Sequence, residues 1–328
     1  MKILFIGGTG RISASITRLC VEMGFQVYLL NRGKRMHLEG VTHLQGDIND
    51  EAQAAALLKG HSFDAVANFI NFVPEQVQRD IRLFSGITGQ YIFISSASIY
   101  QKPLSNYLIT ESTPLSNPFW EYSRNKIACE ELLINEYRAN GFPVTIVRPS
   151  HTYDKTAVPV AVHGNNGPWQ VLKRMREGKP VIVHGDGSSL WVLTHSKDFA
   201  KGFTGLLGNI HAIGEAVHIT SDEVLTWNQI YKLIARELGV TPQILCIPTD
   251  ALVAVEPELD GTLWGDKSHS VVFDNSKIKS LVPGFNATIR FDAGVRESVA
   301  NFLATPALQQ EDLEFDNFTE SIVQKYSK

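Results

Sequence analysis

Ile3-Leu4-Phe5-Ile6-Gly7-Gly8-Thr9-Gly10-Arg11-Ile12-Ser13 is the stretch on which the fold turns. Four consecutive apolar residues suit a strand buried on both faces, and the glycines that follow break it sharply before a helical pattern begins. Gly7 and Gly10 lack a Cβ, so the backbone can fold back tightly and a pyrophosphate can rest against the helix N-terminus. Ser13 takes the third small position, where helix and strand must approach. Surface turns are also glycine-rich for conformational reasons alone, so it is the placement directly after the first buried strand that carries the reading.

Working outward, short β-rich runs alternate with longer helical patterns. Strands are expected at Lys2–Ile6, Gln26–Leu30, Thr42–Gln45, Ala65–Phe69, Tyr91–Ser95 and Val144–Val147, with helices starting near Arg11, Glu51, Pro74 and Glu121. This order predicts an α/β fold, a doubly wound parallel sheet of Rossmann type with a smaller C-terminal substrate lobe. Residues 1–165 would be mainly nucleotide-binding, and residues 166–328 would complete the sheet and form the lobe. Beyond Pro149 we expect a helix after His163-Gly164-Asn165-Asn166-Gly167-Pro168, a strand at Val181–Val183, helices from Ser196 and over Trp227–Leu238, a late strand at Phe285–Phe291 and a helix at Ala293–Leu303. Phe315 and Phe318 either pin the acidic tail or cross a dimer contact.

Composition narrows the function. The 328 residues are 44% hydrophobic with a net charge of -4, which gives no electrostatic reason to expect a nucleic-acid partner. Cys20, Cys129 and Cys246 lie far apart without metal-ligand spacing, so they read as reduced, buried packing residues and no metal is expected. The first apolar run is too short for a signal core or a membrane span, which predicts a cytoplasmic protein.

After the second strand an acidic residue would bind ribose hydroxyls, yet the chain reads Asn31-Arg32-Gly33-Lys34-Arg35. Three cations and no carboxylate favour NADP over NAD, unless the stretch is only a solvated basic loop. Asp47 and Ile48, after the third strand, are placed to touch an adenine, although Asp47 also suits a turn or a helix cap.

The fifth strand runs into Ser95-Ser96-Ala97-Ser98, and Tyr122-Ser123-Arg124-Asn125-Lys126 follows at the start of a helix. A spacing of four sets Tyr122 and Lys126 on one helix face. Hydride transfer at a carbinol carbon needs a proton moved at the neighbouring oxygen; a tyrosine is too weak a base unless a cation lowers its pKa. Tyr122 is therefore the candidate acid or base, Lys126 its modulator and Ser96 the group that holds the substrate oxygen.

These residues, with His184-Gly185-Asp186-Gly187-Ser188 and Thr194-His195-Ser196-Lys197-Asp198-Phe199-Ala200, resemble the extended short-chain dehydrogenase/reductases, the NAD-dependent epimerase/dehydratase family. The resemblance covers essentially the whole chain. It implies a small-molecule substrate in the cleft between lobes, commonly a homodimer, and a nicotinamide cofactor held by Gly7, Thr9, Gly10, Arg11, Ile12, Asn31, Arg32, Asp47, Ile48, Phe69, Ile70, Tyr122, Lys126, Pro149 and Ser150.

Three departures from the family pattern bear on the substrate. Ala97 and Ser98 stand where dehydratases carry an Asp-Glu pair, His151 where sugar-nucleotide members carry asparagine, and Trp191 near where a diphosphate-clamping arginine belongs. Ser98, His151 and Trp191 thus become candidate substrate-binding residues for something other than a nucleoside-diphosphate sugar, with core packing as the alternative for Trp191. His195 reads as a structural hydrogen-bonding residue. The second lobe also resembles the chloroplast stem-loop-binding branch, so a binding or cofactor-sensing protein on the same fold is the rival to an oxidoreductase or epimerase.

Overall fold

The computed structural model describes residues 1–33 and 38–326. Among them the central sheet is parallel and has seven strands: β1 (Lys2–Ile6), β2 (Gln26–Asn31), β3 (Val41–Gln45), β4 (Ala65–Asn68), β5 (Tyr91–Ile94), β6 (Val144–Pro149) and β7 (Ala216–Ile219). Across the sheet they run β7-β6-β5-β4-β1-β2-β3. The order reverses between β1 and β4, and in such sheets the crevice beyond the strand C-termini at that reversal is where ligands sit.

The helices are α1 (Ser13–Glu22), α2 (Glu51–Leu58), α3 (Pro74–Phe84), α4 (Glu121–Asn140), α5 (Trp169–Arg176), α6 (Ser196–Leu206) and α7 (Trp227–Glu237), with shorter ones and two C-terminal helices beyond. Alternate residues of each strand serve opposite faces. Ile3 and Phe5 pack under α1 and α6 with Ile16, Phe199 and Phe203, whereas Leu4 and Ile6 pack under α2, α3 and α4 with Leu58, Val77 and Leu133. A third core, with Trp169, Val183, Trp191, Trp227, Phe291 and Phe315, belongs to the later part of the chain. There Pro180–His184 pairs in parallel with Gln243–Ile247.

Three expectations need correction. Residues 285–290 form no strand: Phe285 is buried beside α6, and the amides of Ile289 and Phe291 donate to Asp198 and Glu223 carboxylates at 2.7 and 2.6 Å instead of to a neighbouring strand. Phe291 itself begins the helix Phe291–Ala304. The outer strand of the sheet is instead β7, which the sequence pattern did not single out. Cys20 and Cys129 are buried, but Cys246 is exposed, on the strand Gln243–Ile247, of which only Ile247 is fully buried.

The tail folds back as the helix Leu313–Tyr326, with Phe315 buried and 6.0 Å from the Phe318 ring, so these aromatics pin it within the chain. No helix among the described residues is long and apolar enough to cross a membrane, and none of their His, Cys, Asp and Glu side chains group to hold a metal.

Candidate active site

Two cavities lie along the C-terminal ends of the strands. The first, of about 330 Å³, is lined by Gly7, Thr9, Asn31, Arg32, Asp47, Ile48, Ile70 and Phe72 among others. Its floor is backbone. Gly7 has φ +93°, and a Cβ there would lie 2.8 Å from the Ile70 side chain, while one on Gly8 would lie 2.4 Å from Leu29. Only glycine fits such a turn. Gly10 shapes the turn from behind, donating its amide to Ser13 Oγ at 2.8 Å, which ties the small third position to the start of α1. A dinucleotide's anionic middle fits this cradle, and the residues present suit its binding.

At the ribose end Arg32 lies 4.0 Å from Asp47, so the guanidinium already faces one carboxylate. Asp47 also accepts from the Asn49 amide at 3.0 Å, whereas the cap of α2 is Asp50, whose side chain accepts from Gln53. The expected cations Lys34 and Arg35 lie outside the described residues. The side chains of Phe69 and Ile12 turn to the core, the Phe69 ring 5.6 Å from Phe5 and 5.7 Å from Phe203, which leaves at Phe69 the backbone, the part the resemblance assigns to the cofactor. The exposed apolar side chains over the cavity are Ile70 and Phe72.

The second cavity, of about 390 Å³, brings together Arg11, Ser96, Ser98, Tyr122, Pro149, Ser150, His151 and Trp191. Residues as far apart as Arg11 and Trp191 meet because β5 and β6 end there and α4 begins there. Arg11 thus faces this cavity rather than the first. Ser96 Oγ is 2.9 Å from Ser98 Oγ, which is 2.7 Å from Ser123 Oγ, so the hydroxyls form a relay. Trp191 is buried on Trp227, with ring centroids 5.4 Å apart, and its Nε1 donates to His151 Nδ1 at 3.4 Å. Both alternatives for Trp191 are realised, packing and lining. Burial pushes His151 down to about 3, which keeps it a neutral acceptor. His195 lies outside the cavity and accepts from the Lys197 amide at 3.2 Å, a helix-capping role.

Lys126 is buried one turn beyond Tyr122, its Nζ 5.8 Å from the Tyr122 ring centroid, and donates to the Asn71 and Ile94 carbonyls at 2.5 and 2.7 Å. Burial lowers it to about 8. Its expected depressing effect on Tyr122 is not realised in the chain itself: burial raises the phenol above its ordinary value, the Ser96 hydroxyl pulls it back and Asp266 raises it further. The ammonium is held by two carbonyls, while the phenol loses water, and desolvation dominates.

Several residues here were invisible to motif reading. Asp80 is fully buried and accepts from Asn68, Asn71, Tyr91 and Arg79 at 2.6 to 2.9 Å, and so fixes the segment whose Asn71 carbonyl holds Lys126. Asn117 donates to the Ser98 and Gly265 carbonyls at 2.8 and 2.7 Å and accepts from the Trp120 amide at 3.1 Å. Trp120, Asp266 and Phe273 complete the cavity wall. A cluster of buried Asn and Asp near Asn68-Phe69-Ile70-Asn71 was the one signal available.

A Rossmann sheet, a glycine cradle at its reversal and a Ser/Tyr/Lys set beside it define a nicotinamide-dependent oxidoreductase or epimerase. The chain belongs to the NAD dependent epimerase/dehydratase family, whose model matches residues 3–219. It is 28% identical to a chloroplast stem-loop binding protein of Arabidopsis thaliana over 73% of this chain, an alignment spanning 63% of that relative's length. It is 24% identical to the 2'-dehydrokanamycin reductase of Streptomyces kanamyceticus, over 87% of this chain and 80% of that one. Among solved structures, the dTDP-glucose 4,6-dehydratase of Bacillus anthracis in complex with NAD superposes with a TM-score of 0.74 at 17% identity, covering 94% of this chain and 98% of that one.

Proposed function

We propose that this protein is a nicotinamide-dependent reductase that interconverts a ketone and a secondary alcohol on a small, sugar-like ring. The observation that carries the reading is the meeting of Ser96 and Tyr122 with Pro149 and Ser150 in one cavity beside the glycine cradle. The Gly7 to Gly10 turn, Asn31, Arg32, Ile48 and Ile70 would hold a nicotinamide dinucleotide, which would supply hydride chemistry. Ser96 holds the substrate oxygen, and Tyr122 gives it a proton as reduction proceeds. A phenol raised by burial is protonated at neutral pH, which suits the reductive direction. Lys126 positions the phenol's helix face and offers its ammonium to the cofactor's ribose.

Arg32, with no acidic residue at the end of β2, favours NADP through its 2′-phosphate. Ala97, Ser98 and Trp191 supply neither an elimination pair nor a diphosphate clamp, which directs the reading to a free or modified sugar rather than a sugar nucleotide. A relative named as a reductase of a dehydrogenated aminoglycoside supports the same direction.

The test is oxidation of NADPH and NADH against keto sugars, aminocyclitol ketones and nucleotide-linked keto sugars. Turnover with a free ring ketone is expected. Inversion without net cofactor oxidation would replace reduction by epimerisation. Salt-dependent RNA retention with no turnover on any ketone would replace the enzyme reading by a binding protein.

A further inference from the structure

We propose that Asp266 is the specificity-determining residue of the reaction cavity, its carboxylate accepting hydrogen bonds from two adjacent donor groups, hydroxyl or amino, on the substrate ring. This rests on the reductase reading and adds the group by which the ring is recognised. Asp266 lines the same cavity as Ser96 and Tyr122, on the wall contributed by the second lobe. Among the described residues no hydrogen-bond donor reaches its carboxylate. Asp266 is half-buried at the cavity wall, so water supplies its donors in the open cavity, and the hydroxyl or amino groups of a ring can replace that water.

The segment carrying it is built for that placement. Leu263–Lys267 is a π-helical turn, closed by the Ser268 amide on the Leu263 carbonyl at 2.9 Å, a distortion that often marks functional positions. Cβ atoms on Gly261 and Gly265 would fall 2.4 and 2.8 Å from Trp120, so only glycines let the turn press against the cavity wall. Asn117 then ties the Gly265 carbonyl to the same loop that holds Ser98 and Trp120.

Two buried cations bracket the carboxylate without binding it. Lys102 is buried and its Nζ has no hydrogen-bond partner among the described residues, while Lys267 donates to the Ala161 carbonyl at 2.8 Å. Burial pushes Asp266 up to about 6 while both cations lower it, so it is ionised at neutral pH. The other ionisable groups toward this cavity are Tyr122 on α4, Arg11 after the glycine turn and neutral His151, with His269 behind Lys102. Trp120, Trp191 and Phe273 provide flat apolar faces for the ring itself.

The experiment titrates NADP-loaded protein with methyl glucoside, methyl glucosaminide and counterparts lacking one of two adjacent ring donors. Asp266→Asn should weaken the intact rings about tenfold and leave NADP affinity unchanged, and the deoxy rings should bind wild type no better than the intact rings bind the variant. In wild type, ring binding should be lost as pH falls through about 6, and Lys102→Met should move that loss to higher pH. Equal binding of intact and deoxy rings, an Asp266→Asn variant as tight as wild type, or no ring bound by wild type would each overturn the proposal. Ketone-dependent NADPH oxidation in parallel reports separately on the reductase reading.

Discussion

The two walls of the cleft are made differently. On the nucleotide side the floor is backbone: Gly7 and Gly8 shape it, a missing Cβ is what each contributes, and Arg32, Ile48 and Ile70 stand around it. On the substrate side the surface is side chain: Trp120, His151, Trp191, Asp266 and Phe273 come from separate segments held together by Asn117 and by ring packing. Phosphates and riboses are common to every dinucleotide, so a fixed backbone serves them; a particular ring must be read by chemistry that only side chains vary. The first wall should therefore fail on added bulk and the second on exchanged function.

The largest effect should come from the seam between the walls. Tyr122→Phe should cut turnover by about 10³-fold, within the range for a lost general acid, with NADPH affinity nearly unchanged; a variant retaining full turnover would remove Tyr122 from the chemistry. Next, Gly7→Ala places a Cβ at φ +93° and 2.8 Å from Ile70. It should weaken dinucleotide binding by about tenfold or more and lower the melting temperature, measurable by calorimetry. The comparison would break if a substrate-side change such as Trp191→Phe cost as much cofactor affinity.

Arg32→Ala should shift the ratio of kcat/KM for NADPH over NADH by about tenfold toward NADH, the worth of one exposed charge-assisted contact. An unchanged ratio would assign the cofactor preference elsewhere. The effect furthest from the chemistry is on stability. His184 is buried and its Nε2 is 2.8 Å from the Lys267 carbonyl. Burial holds it at about 4, below its ordinary value of 6.5. The unfolded chain therefore binds a proton there that the folded chain does not, so stability falls as pH drops from 6.5 toward 4, by up to about 1.4 kcal/mol per pH unit. Denaturant melts of wild type and His184→Gln over this range should show a shallower acid slope in the variant.

What was legible in the chain followed from local rules. Strands β1, β4 and β5 are mostly apolar runs, and the bounds of β1 to β6 agree with expectation to within two residues; the positions of Ser96 beyond a strand end and of Tyr122 and Lys126 at the start of α4 follow from local pattern. Phe285–Phe291 misled because alternating aromatics resemble a strand even when carboxylates, not a neighbouring strand, take the amides. The family resemblance assigned the backbone at Phe69 and Ile70 to the cofactor; that the Phe69 ring turns into the core beneath α6 had no local signal.

The sequence by itself determined the parallel sheet and the glycine turn, and set Ser96 beyond a strand end and Tyr122 and Lys126 on one helix face, because each depends on residues close in the chain and on their periodicity. Tertiary structure alone decided that Arg11 faces the second cavity and that Asp80 anchors the segment holding Lys126. It also brought Asp266 across from Tyr122. The physical reason is distance: the cavity brings together residues as far apart as Arg11 and Phe273, and no local pattern encodes which side chains a folded lobe will bring together.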